Sequence, residues 1–170
     1  RAMSPNPLSW SFRLQSFAGF LACAGLIGFA LYSQEEWGLV PCPLCIFQRI
    51  AFAALGLVFL VGAIHGPASR VGRGTYGVLA LLAGGVGTAI AGRHVWLTTL
   101  PPSEVPACGP PLEFLMDTNP VTDVIRKVLT GSGECAKVDW TFLGLSMPAW
   151  ALVWFVALTL FALYAAFRSR

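Results

Sequence analysis

Four long stretches of the chain contain no Asp, Glu, Lys or Arg and are dominated by apolar side chains. They cover residues 14–34, 50–69, 74–92 and 140–167, which makes them 21, 20, 19 and 28 residues long. A helix crosses a bilayer core of about 30 Å with about 20 apolar residues, whereas a helix of a soluble bundle keeps a polar face that these stretches lack. The pattern therefore predicts an all-α membrane protein whose fold is a four-transmembrane-helix bundle.

We place the four spans within a single integral membrane domain that covers residues 1–170. The expected spans are about 14–33, 45–64, 75–95 and 146–167, joined by loops at about 34–44, 65–74 and 96–145. The first apolar stretch is longer than the core of a signal peptide, and Glu35-Glu36 follows it instead of a small-residue cleavage site. We therefore expect it to remain as a span.

Charged residues make up only 11% of the chain, and their signs are unevenly distributed. All eight acidic residues fall in the first and third connections. The two tails and the middle connection carry six of the eleven basic residues, namely Arg1, Arg13, Arg70, Arg73, Arg168 and Arg170. Because Lys and Arg accumulate in cytoplasmic loops, we expect both termini and the middle loop to be cytoplasmic. The loops at 34–44 and 96–145 then face outward, on the side of the membrane away from the cytoplasm.

The five cysteines divide according to this topology. Cys23 lies within the first span, where it is expected to be an inert apolar residue. Cys42, Cys45, Cys108 and Cys135 fall in or beside the outward loops, in a compartment where disulfides persist. Four cysteines allow three pairings; closeness in sequence favours Cys42 with Cys45, which leaves Cys108 with Cys135, but the sequence leaves the choice open.

A metal site and purely structural disulfides are the alternative uses of these four cysteines. Cys108 and Cys135 are separated by 26 residues and lack the paired C-x-x-C spacing of zinc ribbons and knuckles, so we predict no metal. A structural disulfide remains an alternative for the same two cysteines.

The first cysteine pair stands where a helix is expected to begin. Pro43 suits the first position of a helix, where a missing N–H costs nothing, and this makes Cys42 the N-cap and Cys45 the third helical residue. A thiolate at this end of a helix is stabilised by the helix dipole and by free N–H groups. We therefore predict that the pair is redox-active.

Two basic side chains and an imidazole are expected at the level of this pair. Arg49 lies four residues after Cys45 on the same helical face, and an arginine entering an apolar span is either functional or a snorkelling residue at the headgroups. Arg93 and His94 close the third span at the same outward face. His94 is thereby a candidate hydrogen-bond donor for a ligand at the membrane edge.

The second outward loop has two parts. Residues 101–111 contain five prolines, which predicts irregular, extended chain. Further on, apolar residues recur at helical spacing with polar residues opposite them, at Val121, Val124, Ile125, Val128 and Leu129. With Asn119 as the cap, Pro120 at the start and Gly131 at the stop, a short amphipathic helix of about three turns is predicted, lying on the bilayer surface or against the bundle.

Small residues recur at four-residue spacing in the third span, as Ala80 with Gly84 and Ala83 with Gly87. Such spacing lets membrane helices approach closely. We interpret these positions as packing surfaces rather than as chemistry.

Several motifs taken together resemble the DsbB family, the bacterial inner-membrane disulfide bond formation protein B. They are Pro-Cys-Pro-Leu-Cys-Ile-Phe-Gln-Arg at 41–49, Arg93-His94, Glu134-Cys135, and Trp-Thr-Phe-Leu-Gly-Leu-Ser-Met-Pro-Ala-Trp at 140–150. The resemblance covers nearly the whole chain in four-span topology. A C-x-x-C motif alone would not be specific.

The resemblance implies a membrane thiol oxidoreductase that reoxidises a DsbA-type periplasmic thiol oxidase. Cys42 and Cys45 would form the pair coupled to a membrane quinone, and Cys108 and Cys135 the loop pair that oxidises the partner. By the same resemblance, Cys108 would form the mixed disulfide with that partner.

The resemblance also implies a cofactor, ubiquinone or menaquinone, and residues that contact it. Cys45 would contact the quinone, Arg49 matches an arginine tied to its use, and His94 matches a residue at the quinone ring. A glutamine often found shortly after that histidine is here Thr98, to which we assign no quinone contact. The expected partners are the thiol oxidase, the quinone and the lipid bilayer, with no nucleic acid.

Two other functions stay open at this point. A vitamin K epoxide reductase-like protein also pairs a four-helix bundle with a C-x-x-C motif and a quinone, but its motif lies on the last span whereas this one opens the second. A non-catalytic membrane scaffold with structural disulfides is the other alternative.

Overall fold

The computed structural model describes residues 6–168; Arg1 and Arg170, two of the basic residues in the tails, lie outside this range. The helices, after a 3₁₀ turn at Pro7–Ser9, are α1 (Phe12–Trp37), α2 (Pro43–His65), α3 (Arg70–Thr98), α4 (Leu112–Thr118), α5 (Val121–Thr130), α6 (Gly133–Ala136) and α7 (Met147–Phe167). Within the described range, α1, α2, α3 and α7 are long and apolar enough to cross a membrane. The predicted all-α fold with four membrane helices is confirmed.

The ends of the long helices follow local sequence signals. Ser11 and Ser69 cap α1 and α3 by accepting a backbone N–H of the first turn. Gly38 and Gly66 follow α1 and α2 with φ of 63° and 54°, a left-handed conformation that glycine adopts without strain. The chain therefore turns sharply between consecutive spans.

The tightest helix pair is α3 with α7, and it is built on glycines of α3. A Cβ added to Gly87 would collide with the Phe155 ring, and one added to Gly84 with the Thr159 hydroxyl. The Phe155 ring in turn stacks on Phe52 of α2, with the ring centroids 3.7 Å apart and the planes 9° from parallel. The prediction that these α3 positions serve helix packing is confirmed.

Between α3 and α7 the chain forms a cap over one end of the bundle, the end where α2 begins and α3 finishes; we call it the cysteine end. The predicted amphipathic helix is present as α5, and Gly131 follows its last residue. The predicted cap was wrong: Asn119 terminates α4, an unpredicted helix, and Pro120 takes the position before α5. The Asn119 side-chain nitrogen donates to the Leu115 carbonyl oxygen of α4, and its oxygen accepts from the Lys127 ammonium instead of from a backbone N–H of α5.

One face of α5 packs against the bundle. Val124 and Val128 are buried in a cluster that contains Leu44 of α2 and Leu97 of α3. The Arg93 guanidinium of α3 donates to the carbonyl oxygens of Leu129 and Thr130 at 3.2 and 3.0 Å. These contacts attach the loop helix to the cysteine end, because a cation at the end of a helix satisfies carbonyls that have no partner within the helix.

A hairpin of two short strands, each two residues long, connects the cap to α7. Thr141–Phe142 pairs antiparallel with Leu145–Ser146 through a turn in which Leu143 and Gly144 have φ of 51° and 78°. Two positive φ values are typical of the type I′ turn that joins hairpin strands. This hairpin was not predicted from the sequence. It places a row of aromatic rings beside the end of α1.

Candidate functional site

The dithiol lies at the start of α2 as the sequence predicts. Cys42 is the N-cap, with extended backbone angles, and Pro43 is the first helical residue, so Cys45 stands on the first turn. The two sulfurs are 3.3 Å apart, and both residues are free thiols. Both sulfurs lie at the positive end of the helix, where a thiolate is more stable than it is in water.

His94 of α3 faces both sulfurs. Its Nε2 lies 3.7 Å from the Cys42 sulfur and its Nδ1 lies 4.0 Å from the Cys45 sulfur. The Gln48 amide nitrogen of α2 is 2.9 Å from Nδ1. Because an amide N–H donates, Nδ1 accepts, and the ring hydrogen then sits on Nε2, directed at Cys42.

Arg49 lies one turn below Cys45, with its guanidinium turned toward α1. It donates to the Gln34 side-chain oxygen at 2.8 Å and to the Ala30 carbonyl oxygen at 3.1 Å. The arginine therefore has hydrogen-bond partners from α1 and joins the first two spans. Its charge stays beside the dithiol, since Arg49 and Cys45 line the same cavity.

That cavity has a volume of about 360 Å³ and opens between α1, the start of α2, the hairpin and α7. Its lining is mostly apolar and rich in aromatic rings, with polar groups gathered at the dithiol. The aromatic residues in the lining are Phe29, Phe52, Trp140, Phe142, Trp150 and Trp154. Cys42, Cys45, Gln48, Arg49 and His94 are the polar residues on its dithiol side, and Glu134, Lys137 and Asp139 also line it. An apolar cavity with a few convergent polar groups is the usual form of a small-molecule site.

The aromatic rings beside the cavity form a connected row. Trp37 at the end of α1 stacks on Trp140 with centroids 6.4 Å apart, and Trp140 stacks on Phe142 at 6.1 Å. The Trp150 indole N–H donates to the Phe142 carbonyl oxygen at 2.9 Å. The row fixes the hairpin against the first and last spans, and three of its members are part of the cavity wall.

The two loop cysteines are brought to the same end of the bundle. Cys135 is buried, at 1% exposed, in the cluster that contains Cys42 and Leu44. Interaction with the Cys42 sulfur, followed by burial, raises the pKa of the Cys135 thiol above its usual range. A buried thiol with a raised pKa is protonated at neutral pH.

Cys108, in contrast, is exposed. Its segment is tied to that of Cys135, since the Gly133 N–H donates to the Ala107 carbonyl oxygen at 3.3 Å. A Cβ added to Gly133 would lie 3.2 Å from the Cys108 sulfur. One loop cysteine is therefore open to a protein in solution while the other lies against the dithiol.

Two glutamines of the site were not predicted from the sequence. Gln48 orients His94, and Gln34 holds Arg49. Gln48 follows Cys45 by three residues, the spacing of neighbours on one helical face, so its position on the face of Cys45 was available from the sequence. The contact between Gln34 and Arg49 crosses from one span to the next, and no spacing rule predicts it.

A vicinal dithiol at a helix start, next to an apolar cavity between membrane helices and to a second cysteine pair, defines a membrane thiol oxidoreductase. The family model described as DsbB, Disulfide bond formation protein DsbB, matches residues 12–165. The chain belongs to the DsbB family.

Curated relatives agree with this assignment over nearly their whole length. The chain is 59% identical to Disulfide bond formation protein B of Xanthomonas euvesicatoria pv. vesicatoria (strain 85-10), over 97% of this chain and 96% of the relative. It is 49% identical to the protein of the same name from Xylella fastidiosa (strain 9a5c), over 97% of this chain and 95% of that relative. The family is one of inner-membrane oxidoreductases.

Proposed function

We propose that this protein reoxidises a DsbA-type periplasmic dithiol oxidase and passes the electrons through two cysteine pairs to a membrane quinone. Cys42 and Cys45 are the pair on the quinone side, and Cys108 and Cys135 are the pair on the partner side. The observation that carries the proposal is the position of Cys42, whose sulfur lies 3.3 Å from Cys45 beside the cavity and in one buried cluster with Cys135.

The cavity suits a quinone head group in size and chemistry. A flat, apolar ring with two carbonyl oxygens needs apolar walls and a few hydrogen-bond donors. The aromatic row supplies the walls, and Arg49 supplies donors on the side of Cys45. His94, whose ring hydrogen is directed at Cys42, lines the same side of the cavity. When bound there, ubiquinone or menaquinone supplies a two-electron acceptor for the dithiol.

The residues of this chain carry out a series of thiol–disulfide exchanges. A thiolate of the partner attacks the sulfur of Cys108 in the Cys108–Cys135 disulfide, which forms a mixed disulfide and releases Cys135. Cys135 then attacks Cys42, which breaks the Cys42–Cys45 bond and releases Cys45 as a thiolate.

The second partner cysteine displaces Cys108, and Cys108 attacks Cys135, which restores the loop disulfide and leaves Cys42 and Cys45 reduced. Each step makes one S–S bond and breaks one. Two electrons are therefore moved from the partner to the dithiol, ready for transfer to the quinone.

The fold supports different tasks for the two members of each pair. Exposed Cys108 is accessible to a protein partner, whereas buried Cys135 is accessible to Cys42. The Nε2–H of His94 faces Cys42 and stabilises a thiolate there, since hydrogen bonds to a charged acceptor are the stronger ones. Cys45 lies further along α2 than Cys42 does and lines the cavity.

The same proposal fixes the orientation in the membrane. The cysteine end faces the periplasm, and both termini with the loop at residues 65–74 face the cytoplasm. The single domain covers residues 1–170, and the helices α1, α2, α3 and α7 are its spans. The uneven distribution of Lys and Arg supports this sidedness.

The test uses the purified chain, a reduced DsbA-type protein and a water-soluble ubiquinone analogue, with loss of quinone absorbance as the readout. We expect turnover that disappears in Cys42→Ser, Cys45→Ser, Cys108→Ser and Cys135→Ser. Cys23→Ala is the matched control, because Cys23 is buried in the core between α1 and α2. Quinone reduction that persists in the Cys45→Ser variant would show that the dithiol is not the electron donor.

A further inference from the structure

The dithiol and His94 form a compact group of metal-ligating atoms. The sulfurs of Cys42 and Cys45 and a ring nitrogen of His94 all lie within 4.8 Å of one another. From this grouping we propose that the reduced Cys42–Cys45 pair and His94 bind Zn²⁺ or a similar thiophilic divalent cation, which reversibly blocks the dithiol. The site needs neither the quinone nor the protein partner, so it stands independently of the proposed electron transfer.

The distances are close to those that zinc requires. Tetrahedral zinc with bonds of about 2.3 Å to sulfur and about 2.0–2.1 Å to nitrogen holds two sulfurs about 3.8 Å apart, and sulfur and nitrogen about 3.5 Å apart. The observed separations are 3.3 Å between the sulfurs and 3.7 Å between the Cys42 sulfur and Nε2 of His94. The two distances that involve the Cys42 sulfur therefore need to change by only a few tenths of an ångström. The half-buried Cys45 side chain must move toward Nε2 of His94.

The charges of the group also suit a divalent cation. Two thiolates and a neutral imidazole form a complex with Zn²⁺ that has no net charge, which removes most of the cost of burying an ion. The charged residues that line the same cavity are Arg49, Glu134, Lys137 and Asp139, two of each sign. Because these four charges cancel, the two thiolates determine which cation the site prefers, and soft sulfur ligands select thiophilic metals.

Gln48 completes the site in a second arrangement of its amide. A metal on Nε2 requires the ring hydrogen on Nδ1, and metal-bound histidines donate that hydrogen to an oxygen. Gln48 lies 2.9 Å from Nδ1, and turning its amide over presents the side-chain oxygen there. The same glutamine thus serves the metal-free thiol and the metal-bound form.

The proposed site is a redox-dependent one. Thiolates bind metals whereas disulfide sulfurs do not, so only the reduced pair is a ligand. Metal would bind to the enzyme only while the Cys42–Cys45 pair is reduced and its electron acceptor has not yet oxidised it. The spacing of Cys108 and Cys135 argued against a zinc site built from the four outward cysteines; this one uses two of them with a histidine from another helix.

The test is a titration of the full chain, reduced under anaerobic conditions with a phosphine, using Co²⁺ as the probe. We expect one Co²⁺ per chain, with thiolate charge-transfer bands and the intense visible bands of tetrahedral cobalt, and displacement by Zn²⁺. Cys45→Ser and His94→Gln should each weaken binding by at least about 100-fold, the upper end of what loss of a supporting residue costs. Cys108→Ser is the matched control and should bind like the parent.

Folding of each variant is checked by its thermal unfolding midpoint in detergent without metal. Equal binding by the oxidised protein, or undiminished binding by folded His94→Gln, would overturn the proposal. Loss of binding in Cys135→Ser with retention in His94→Gln would overturn it as well, because the third ligand would then be the wrong residue. Inhibition of quinone reduction by Zn²⁺, reversed by a chelator, is the expected consequence in the active enzyme.

Discussion

Gln48 provides the sharpest test of how the site is organised. Its amide is the 2.9 Å hydrogen-bond partner of His94 Nδ1, and both side chains are buried, at 5% and 3% exposed. Gln48→Met keeps the length of an unbranched side chain and removes the donor. Without that donor, the His94 ring is free to carry its hydrogen on Nδ1, and Nε2 no longer donates toward Cys42.

The expected loss follows from the energy of that hydrogen bond. Leaving a buried polar atom without its partner costs about 1–3 kcal/mol. If this cost falls on the step that releases the thiolates, the rate decreases about 5- to 160-fold, because each 1.36 kcal/mol corresponds to a factor of ten. We therefore expect Gln48→Met to reduce quinone at a rate lower by a factor within that interval.

The assay is quinone reduction by the purified variant with reduced DsbA-type partner, together with ¹⁵N NMR of the histidine ring to read which nitrogen carries the hydrogen. Gln15→Met is the matched control. Gln15 is also buried, but it donates to the Pro7 and Leu8 carbonyl oxygens at the end of the bundle away from the cysteines. A Gln48→Met rate within twofold of the parent, or the same decrease in both variants, would refute the assigned role of Gln48.

Three further predictions concern packing, loop attachment and thiol reactivity. Gly87→Ala should destabilise the folded state by about 1–3 kcal/mol, because the added Cβ meets an aromatic ring of α7. Gly85→Ala, whose added Cβ has nothing within 4 Å, should not destabilise it, and unfolding in detergent measures both variants. Arg93→Gln removes the charged donor to the last carbonyls of α5 and should slow oxidation of the partner several-fold. The rate at which quinone oxidises the reduced Cys42–Cys45 pair, measured in a single turnover without the partner, should not change. Cys135, which is buried and has a raised pKa, should be alkylated far more slowly than exposed Cys108 in the reduced protein at pH 7–9. Because the fold favours the protonated Cys135 thiol, the contribution of this thiol to stability is present below the ordinary cysteine pKa and is lost as pH rises above it. Equal alkylation rates, measured by mass spectrometry, would contradict this burial.

Local sequence patterns were enough to predict the spans and the start of the dithiol helix. These features depend on local properties: a run of about 20 apolar residues has to be helical in a bilayer, and proline at the first position sets where the helix begins. The amphipathic repeat at 121–129 predicted α5 for the same reason, since the periodicity of one segment is enough to define it. Arg49 and His94 were candidates because polar residues at the edges of apolar spans are few.

How these segments contact one another depends on packing between distant parts of the chain. Gln34 and Arg49, and Gln48 and His94, are partners across helix pairs, and their contacts depend on the rotation and register of whole spans. The placement of Cys135 against Cys42 depends on the connection between α3 and α7, residues 99–146, which folds back over the bundle and is anchored by Arg93. Local patterns fix which residues form a helix, but the side chains that face each other are fixed by packing between distant segments, and the chemistry at Cys42 arises from that packing.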